Sequence, residues 1–332
     1  MIITVAGSGG WGTALALSLL ENGHQVTLWS HDPQKACAMA KTRRNPMLPE
    51  ASLPEALAIS SDPQCVADSA MVVVACPSVH IRPVCQALAP HLRKDAVLVS
   101  VTKGIESGSL LRMSQIVRQL TGREVVALTG PSHAEEVARR IPTGCLAACE
   151  DKILAERVQD AFMSESFRIY TSPDIIGAEL GGALKNVIAM CAGTVDGLGL
   201  GDNTKAVLMT RGLTEIARLG VAMGARKETF AGLAGVGDLI VTCTSRHSRN
   251  RRFGQLIGQG VPATQALEQI GAAVEGYYAA RSAWELAQSL QVEMPILKAV
   301  YEVLYRDMDP REAVHTLFSR RRRQEAEDAG WL

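Results

Sequence analysis

The sequence predicts an α/β chain in two parts, a doubly wound, mainly parallel sheet over residues 1–172 and an all-α domain over residues 173–332. Three observations carry this. Short continuous apolar runs alternate with helical patterns through the first half, as strands buried on both faces require. A glycine-rich turn joins the first of these runs to the first helix. From about Ser172 such runs cease and long helical patterns take over. At 332 residues the chain also exceeds one ordinary core, so two domains are expected.

The elements follow in order. ITVA (3–6) reads as the first strand, GSGGWG (7–12) as the turn, and TALALSLLENG as a helix closed by Gly23. QVTLW (25–29) is the second strand. MVVVAC (71–76), AVLVSV (96–101), EVVALT (124–129) and GCLAAC (144–149) are further buried-strand candidates, with helices between most of them, including 107–120 and 132–139. In the second half, helical patterns cover roughly 173–193, 203–223, 275–289, 295–306 and 310–328. Pro295 and Pro310 stand where first-turn prolines belong, the latter after Asp309 as an N-cap. No internal repeat or flexible Gly/Ser linker interrupts the pattern.

Composition narrows the function. The formal net charge is zero, which argues against nucleic acid or an anionic membrane as principal partner. The one basic run, Arg320 to Arg323, precedes Glu325, Glu327 and Asp328 and reads as a self-paired helix end. No apolar run approaches the ~20 residues of a membrane span, and no signal peptide is read at the N-terminus. Eight cysteines are scattered without a CxxC pair, and Cys145 and Cys149 have no nearby partners of metal-ligand type. Reduced thiols in a cytoplasmic enzyme, with no metal, are the expectation.

Gly7-Ser8-Gly9-Gly10-Trp11-Gly12 matches GxGxxG. It follows a strand, opens a helix and precedes a second strand within ~30 residues, the context of a Rossmann-like dinucleotide site. Gly7 permits the tight turn, Gly9 lets backbone approach a pyrophosphate, and Gly12 lets helix and strand pack closely. The helix N-terminus supplies free N–H groups and partial positive charge. NAD specificity calls for a carboxylate ~20 residues beyond the loop to accept from the ribose 2′-hydroxyl. The chain has Ser30 and His31 in that window, with Asp32 slightly late. NADP(H), or both NADP(H) and NAD(H), are therefore favoured; His31 is a ribose-phosphate contact or simply a surface histidine.

Ligands of open α/β sheets bind beyond the carboxyl ends of the strands. There the sequence places CPS (76–78), TKG (102–104) with Lys103, and TGPSHA (129–134) with Gly130 and Ser132. In the second half, ELGGALKNVIA (179–189) sets Lys185 in an apolar stretch. That ammonium either snorkels, pairs with a carboxylate such as Glu179, or serves as an amine of lowered pKa. Gly177, Gly181 and Lys185 share one helix face, leaving a bare groove for a nicotinamide, a small substrate, or another helix. Were Lys103 and Lys185 to meet across the crevice, repulsion and burial would make one of them an acid–base catalyst. In GLAGVGDLIVTCTSRHSRNRRFG (232–254), Asp238 lies among apolar residues and requires a cationic or hydroxylic partner. Ser248-Arg249-Asn250 suits a phosphate dianion, although Arg246, Arg251 and Arg252 also fit a solvated basic loop.

Taken together, GSGGWGTALA, TKG, GPSHAEE, GGALKNVIA, GLAGVGDL, SRNRRFG and VEGY (274–277) resemble bacterial NAD(P)-dependent glycerol-3-phosphate dehydrogenases over nearly the whole chain. The resemblance implies interconversion of sn-glycerol 3-phosphate and dihydroxyacetone phosphate, for phospholipid synthesis, by a homodimer. It implies Lys185 as proton acceptor, with Lys103 beside it. Substrate contacts would be Lys103, Gly130, Ser132, Lys185, Asp238, Ser248, Arg249 and Asn250. Cofactor contacts would be Gly10, Trp11, His31, Lys103, Ala134, Arg249, Val274 and Glu275, with Gly7, Gly9 and Gly12 of the loop. Two departures stand out: Gly10 where relatives often carry serine, and Ser132-His133 where some relatives carry Thr-Phe. A β-hydroxyacid dehydrogenase, the nearest rival, places an asparagine one helical turn after its lysine, where this chain has Ala189, the asparagine being the adjacent Asn186. A sugar-nucleotide dehydrogenase would need an activated cysteine, which neither Cys191 nor Cys243 offers in sequence. A dinucleotide-sensing module would need the glycine loop but not two lysines and an arginine cluster.

Overall fold

Eight strands form one sheet: β1 (Ile2–Ala6), β2 (Gln25–Trp29), β3 (Ala58–Ser60), β4 (Met71–Val74), β5 (Val97–Ser100), β6 (Val125–Thr129), β7 (Thr143–Ala148) and β8 (Phe167–Ser172). The computed structural model of the chain describes residues 1–322, 324 and 325. The strand order is β3-β2-β1-β4-β5-β6-β7-β8. All neighbours run parallel except β6 and β7. The chain winds outward from β1 to β3, then returns to pair β4 on the other side of β1. The carboxyl ends of β1 and β4 thus flank the switch point where such sheets bind ligands.

Around the sheet lie α1 (Gly10–Glu21), α2 (Pro33–Thr42), α3 (Ile81–Leu88), α4 (Met113–Thr121), α5 (Ala134–Ala138) and α6 (Lys152–Phe162). Alternate residues of β1 and β4 serve opposite faces: Ile3, Val5 and Val73 pack with Leu15, Leu19 and Phe162, whereas Ala6, Val72 and Val74 pack with Ile81, Met113 and Ile116. Each fully buried Leu, Ile or Phe contributes about 1.5–3 kcal/mol, which is why both faces must be covered.

The second half comprises α7 (Ile175–Leu198), α8 (Gly201–Ala222), α9 (Asp238–Thr244), α10 (Arg249–Gly258), α11 (Ala263–Ile270), α12 (Glu275–Ser289), α13 (Pro295–Tyr305) and α14 (Pro310–Phe318). Its apolar core is centred on α7, through Leu184, Val187, Ile188 and Met190. Contrary to the sequence expectation, this helix is long and apolar enough to cross a membrane by length and composition; 83% of its most apolar window is buried, as in a core helix.

Several elements differ from the sequence reading. Strands β3 and β8 were not expected: β3 has three residues, and β8 exposes Arg168 and Tyr170 at the sheet edge, breaking the apolar run. The helix expected at 107–120 starts only at Met113, because Gly108 and Leu110 take left-handed backbone. Helices α9 to α11 lay in segments without an assigned helix. Helix α7 runs five residues past Gly193. That glycine is a contact rather than a stop: a Cβ there would lie 1.9 Å from the Arg251 carbonyl oxygen, and one on Gly254 equally close to that of Met190. Helices α7 and α10 therefore pack backbone against backbone. The last helix ends at Phe318; of the range expected to 328, residues 323 and 326–328 lie outside the described residues.

Candidate active site

The glycine loop has the shape of a phosphate cradle. Gly7 has φ +134, and a Cβ on it would lie 2.4 Å from the Ala75 oxygen at the end of β4. A Cβ on Gly12 would lie 2.0 Å from the Gly7 oxygen, whereas Gly9 has nothing within 4 Å. The first turn of α1 has no side-chain cap, so its N–H groups remain available to an anion. Trp11 packs against the sheet core from that turn. Gly10 is explained by its surroundings, since a Cβ there would meet the Met47 carbonyl at 2.7 Å; a serine would displace that loop. Ala134, first residue of α5, would lie 3.8 Å from the same Cβ.

At the far end of the cradle, Ser30 is buried and accepts from Ser8 Oγ at 3.0 Å. Asp32 caps α2, its Oδ1 accepting from the Gln34 and Lys35 amides at 2.9 and 3.2 Å. One of its two carboxylate oxygens is thereby engaged. Only His31 of the three is exposed, so Ser30 drops out of the expected ribose window.

The two lysines meet through one carboxylate. Lys103 Nζ donates to Asp238 Oδ2 at 2.7 Å and to the Gly130 carbonyl at 3.1 Å. Lys185 Nζ donates to Asp238 Oδ1 and, at 2.8 Å, to Thr242 Oγ1. Side-chain exposures are 18%, 0% and 8% for Lys103, Asp238 and Lys185. Two ammonium groups share one carboxylate, so the cluster is short of negative charge. Burial, then the charge of Lys103, push the Lys185 ammonium down to about 7 against the opposing pull of Asp238. Glu179, the other partner considered for Lys185, is instead held by Arg112, the Ser114 amide at 2.7 Å and Ser114 Oγ at 2.6 Å.

The glycine groove beside Lys185 is filled by protein. A Cβ on Gly177 would lie 2.3 Å from Asp174 Oδ2, and one on Gly181 2.2 Å from the Ala234 oxygen. The close-packing alternative therefore holds. Gly182 is the glycine that faces the strand ends, where a Cβ would meet Thr129 Oγ1 at 2.7 Å and Lys103 Cγ at 3.6 Å.

Three further pieces border the crevice. Ser132 Oγ donates to the Gly130 oxygen at 3.0 Å, and Gly130 has φ +147. Glu275, following the buried Val274 at the start of α12, accepts from the Ser78 amide at 3.1 Å and Ser78 Oγ at 2.5 Å; burial raises its pKa while Ser78 and the Arg249 charge oppose the rise. Ser248 caps α10, accepting from the Arg251 amide at 3.2 Å. Asn250 bridges α7, α10 and α12 by donating to Asn186 Oδ1 and accepting from the Gly276 amide, both at 2.9 Å. Arg249 is exposed at the first turn of α10, whereas Arg251 is held by Asp196 at 2.7 Å.

Comparison with known proteins fits this geometry. Family models described as the N-terminus and the C-terminus of NAD-dependent glycerol-3-phosphate dehydrogenase match residues 2–155 and 174–315. The chain is 49% identical over 326 residues to the glycerol-3-phosphate dehydrogenase [NAD(P)+] of Thermoanaerobacter sp. (strain X514), covering 98% of this chain and 99% of that one. The chain belongs to the NAD-dependent glycerol-3-phosphate dehydrogenase family. The Geobacillus kaustophilus (strain HTA426) protein of the same name is 50% identical over 333 residues, covering 98% and 96%. The crystal structure of the Coxiella burnetii glycerol-3-phosphate dehydrogenase superposes with a TM-score of 0.92 at 37% identity, covering 96% and 99%.

Membership in the glycerol-3-phosphate dehydrogenase family disposes of the rivals, and chemistry agrees. Burial pushes the Cys243 thiol up to about 12 and raises Cys191 as well, the reverse of nucleophile activation. All eight cysteines are free. Sequence reasoning missed Thr242, Asn186 and the Ser78–Glu275 contact. Thr242 was findable, being one helical turn from Asp238 and on the same face.

Proposed function

We propose that this chain is an NAD(P)-dependent sn-glycerol-3-phosphate dehydrogenase, reducing dihydroxyacetone phosphate and oxidising glycerol 3-phosphate, with Lys185 as general acid and base. The observation that carries the reading is the buried Lys103–Asp238–Lys185 cluster at the carboxyl ends of the strands. The residues present fit a nicotinamide dinucleotide: an uncapped helix end behind open glycine space suits its pyrophosphate. Gly7, Gly9, Gly10, Trp11 and Gly12 would hold that end, with His31, Ala134, Val274 and Glu275 along it. When bound, the nicotinamide supplies or takes up the hydride.

The chain supplies the rest. Lys185 Nζ gives its proton to the carbonyl oxygen as the alcohol forms, and takes it back in the reverse direction. Lys103, anchored on Gly130 and Asp238, polarises the same oxygen. Asp238 holds both amines in place, and Thr242 orients Lys185 by accepting from it while donating to the Asp238 carbonyl at 2.6 Å. Arg249, Ser248 and the α10 N-terminus bind the substrate phosphate, with Asn250 locking that turn to Asn186. Gly130 and Ser132 would contact the substrate from the turn after β6, beside Lys103.

The same reading divides the chain into a dinucleotide-binding domain, 1–172, and a helical substrate domain, 173–332. It also includes a homodimer, a cytoplasmic location and a role in phospholipid synthesis. Free cysteines support the reducing compartment; the other two rest on resemblance, and sedimentation tests the dimer.

The deciding experiment follows loss of nicotinamide absorbance with dihydroxyacetone phosphate, in parallel with NADPH and NADH. Turnover is expected, and its absence with both nucleotides in folded protein would discard the assignment. His31→Asp should lower the NADPH-to-NADH ratio of kcat/KM by about tenfold or more, since a carboxylate repels the 2′-phosphate. An unchanged ratio would place the 2′ group elsewhere. Arg249→Ala should raise KM for the ketone phosphate by about 10- to 100-fold, the loss of a charge-assisted pair. An unaltered KM would remove Arg249 from the site.

A further inference from the structure

Asn45 stands in the loop between α2 and β3, yet it is fully buried. Burying a polar side chain is costly unless its hydrogen bonds are met, and those of Asn45 are met by the glycine loop. Its Nδ2 donates to the Ser8 carbonyl at 3.0 Å and to Thr13 Oγ1 at 2.7 Å. Its Oδ1 accepts from the Met47 amide at 3.0 Å. These partners fix which way the side-chain amide points, since a backbone N–H only donates and a carbonyl only accepts. The Leu48 amide donates to the Asn45 carbonyl at 2.9 Å, and the Leu48 side chain is buried in the sheet core. Residues 45–48 therefore form an anchored wall beside the cradle.

That wall sets the direction of one backbone group. Ser8 is held twice, by its side chain on Ser30 at 3.0 Å and by its carbonyl on Asn45. The Met47 carbonyl borders Gly10 on the same side. In a trans peptide the carbonyl and the following N–H point in opposite directions. Holding the Ser8 carbonyl thus turns the Gly9 N–H away from Asn45. No backbone acceptor among the described residues takes that N–H, and a Cβ on Gly9 would meet nothing within 4 Å. A donor left free at the open end of a helix suits an anion.

We propose that Asn45 is a positioning residue for the dinucleotide: by holding the Ser8 carbonyl it aims the Gly9 N–H at the pyrophosphate. It so sets nucleotide affinity while its own amide is occupied by protein. This rests on the reading of the cradle given above.

The test measures binding directly, by titration calorimetry. The probes are NADPH and NADH, 2′-phospho-ADP-ribose, which keeps the pyrophosphate without the nicotinamide, and adenosine 2′-monophosphate, which lacks the pyrophosphate. In Asn45→Ala, Kd for the pyrophosphate-containing probes should rise on the order of tenfold, as one charge-assisted hydrogen bond loses its alignment. Kd for adenosine 2′-monophosphate, and KM for dihydroxyacetone phosphate at saturating nucleotide, should stay within about twofold. Asn45→Asp controls for a collapsed loop. Its carboxylate keeps the shape and still accepts from the Met47 amide and the Thr13 hydroxyl, losing only the donor to Ser8. The same selective rise is expected there. A rise confined to the alanine variant would mean packing, and one confined to the aspartate variant charge repulsion; either overturns the proposal. So does equal weakening of every probe. A wild type that binds neither NADPH nor NADH would remove the dinucleotide reading, and this proposal with it. Wild-type binding that both variants leave unchanged sinks the proposal alone.

Discussion

Lys185→Ala is expected to lower kcat for ketone reduction by about 10² to 10⁴-fold, the usual loss of a positioned general acid. KM should move far less, because the proposed phosphate contacts lie on α10. The fold should survive. Removing one of two buried amines leaves Lys103 and Asp238 as a balanced pair, and the displaced charge was one that burial already disfavoured. Lys185→Arg separates proton transfer from charge. A guanidinium keeps the positive charge but does not release its proton near neutrality, so activity should stay low. Recovery to within tenfold of wild type by arginine would make Lys185 an electrostatic group and not the acid. An unchanged kcat in the alanine variant would remove it from the chemistry altogether.

The same residue, as the proposed acid and base, sets the expected pH dependence. In that mechanism ketone reduction needs Lys185 protonated and alcohol oxidation needs it neutral. With its pKa lowered to about 7, kcat/KM for reduction should fall as pH rises through that value, and kcat/KM for oxidation should rise there. Paired initial-rate profiles in the two directions would check this. Profiles bending in the same sense would exclude a single shared acid–base group.

Most of the candidate site was legible because it sits where sequence marks physical anomalies. A lysine inside ELGGALKNVIA and an aspartate inside GVGDLIV both violate burial preferences, and each proved to be the other's partner. The glycine loop was readable from its strand and helix context. Glycines elsewhere misled. A glycine records that something approaches the backbone, but not what: at Gly177 and Gly181 it is the segment around Asp174 and Ala234, not a ligand. At Gly193 an apparent helix end is the seat of α10. Asn186, Asn250 and Gly276 come together from three helices distant in sequence, a juxtaposition that no local pattern encodes. Edge strand β8 was missed because its outward residues are polar or aromatic, so it never shows the apolar run of a central strand.

Asp238→Asn should have the largest effect on stability. The carboxylate is fully buried between two ammonium groups, and the amide keeps its shape while removing its charge. Breaking a buried ion pair from one side costs about 3–5 kcal/mol, because the remaining charge is left without compensation. The cost should depend on pH in a definite sense. Lys185 has its folded pKa lowered, to about 7 from 10.5; its charged form therefore burdens the folded state fully below about 7, and that burden lifts as pH rises toward the unfolded value. Asp238 offsets the burden only while Lys185 is charged. The deficit of Asp238→Asn against wild type should thus be larger at pH 6 than at pH 9, where only the pairing with Lys103 is lost. Without the carboxylate the Lys185 pKa falls further, so the reduction profile should also shift to lower pH. Thermal unfolding at the two pH values, with the rate profile of the same variant, tests both consequences. A deficit that is the same at pH 6 and pH 9 would show that Asp238 does not compensate Lys185. A stability loss with an unmoved rate profile would make Asp238 a structural group that does not tune the acid.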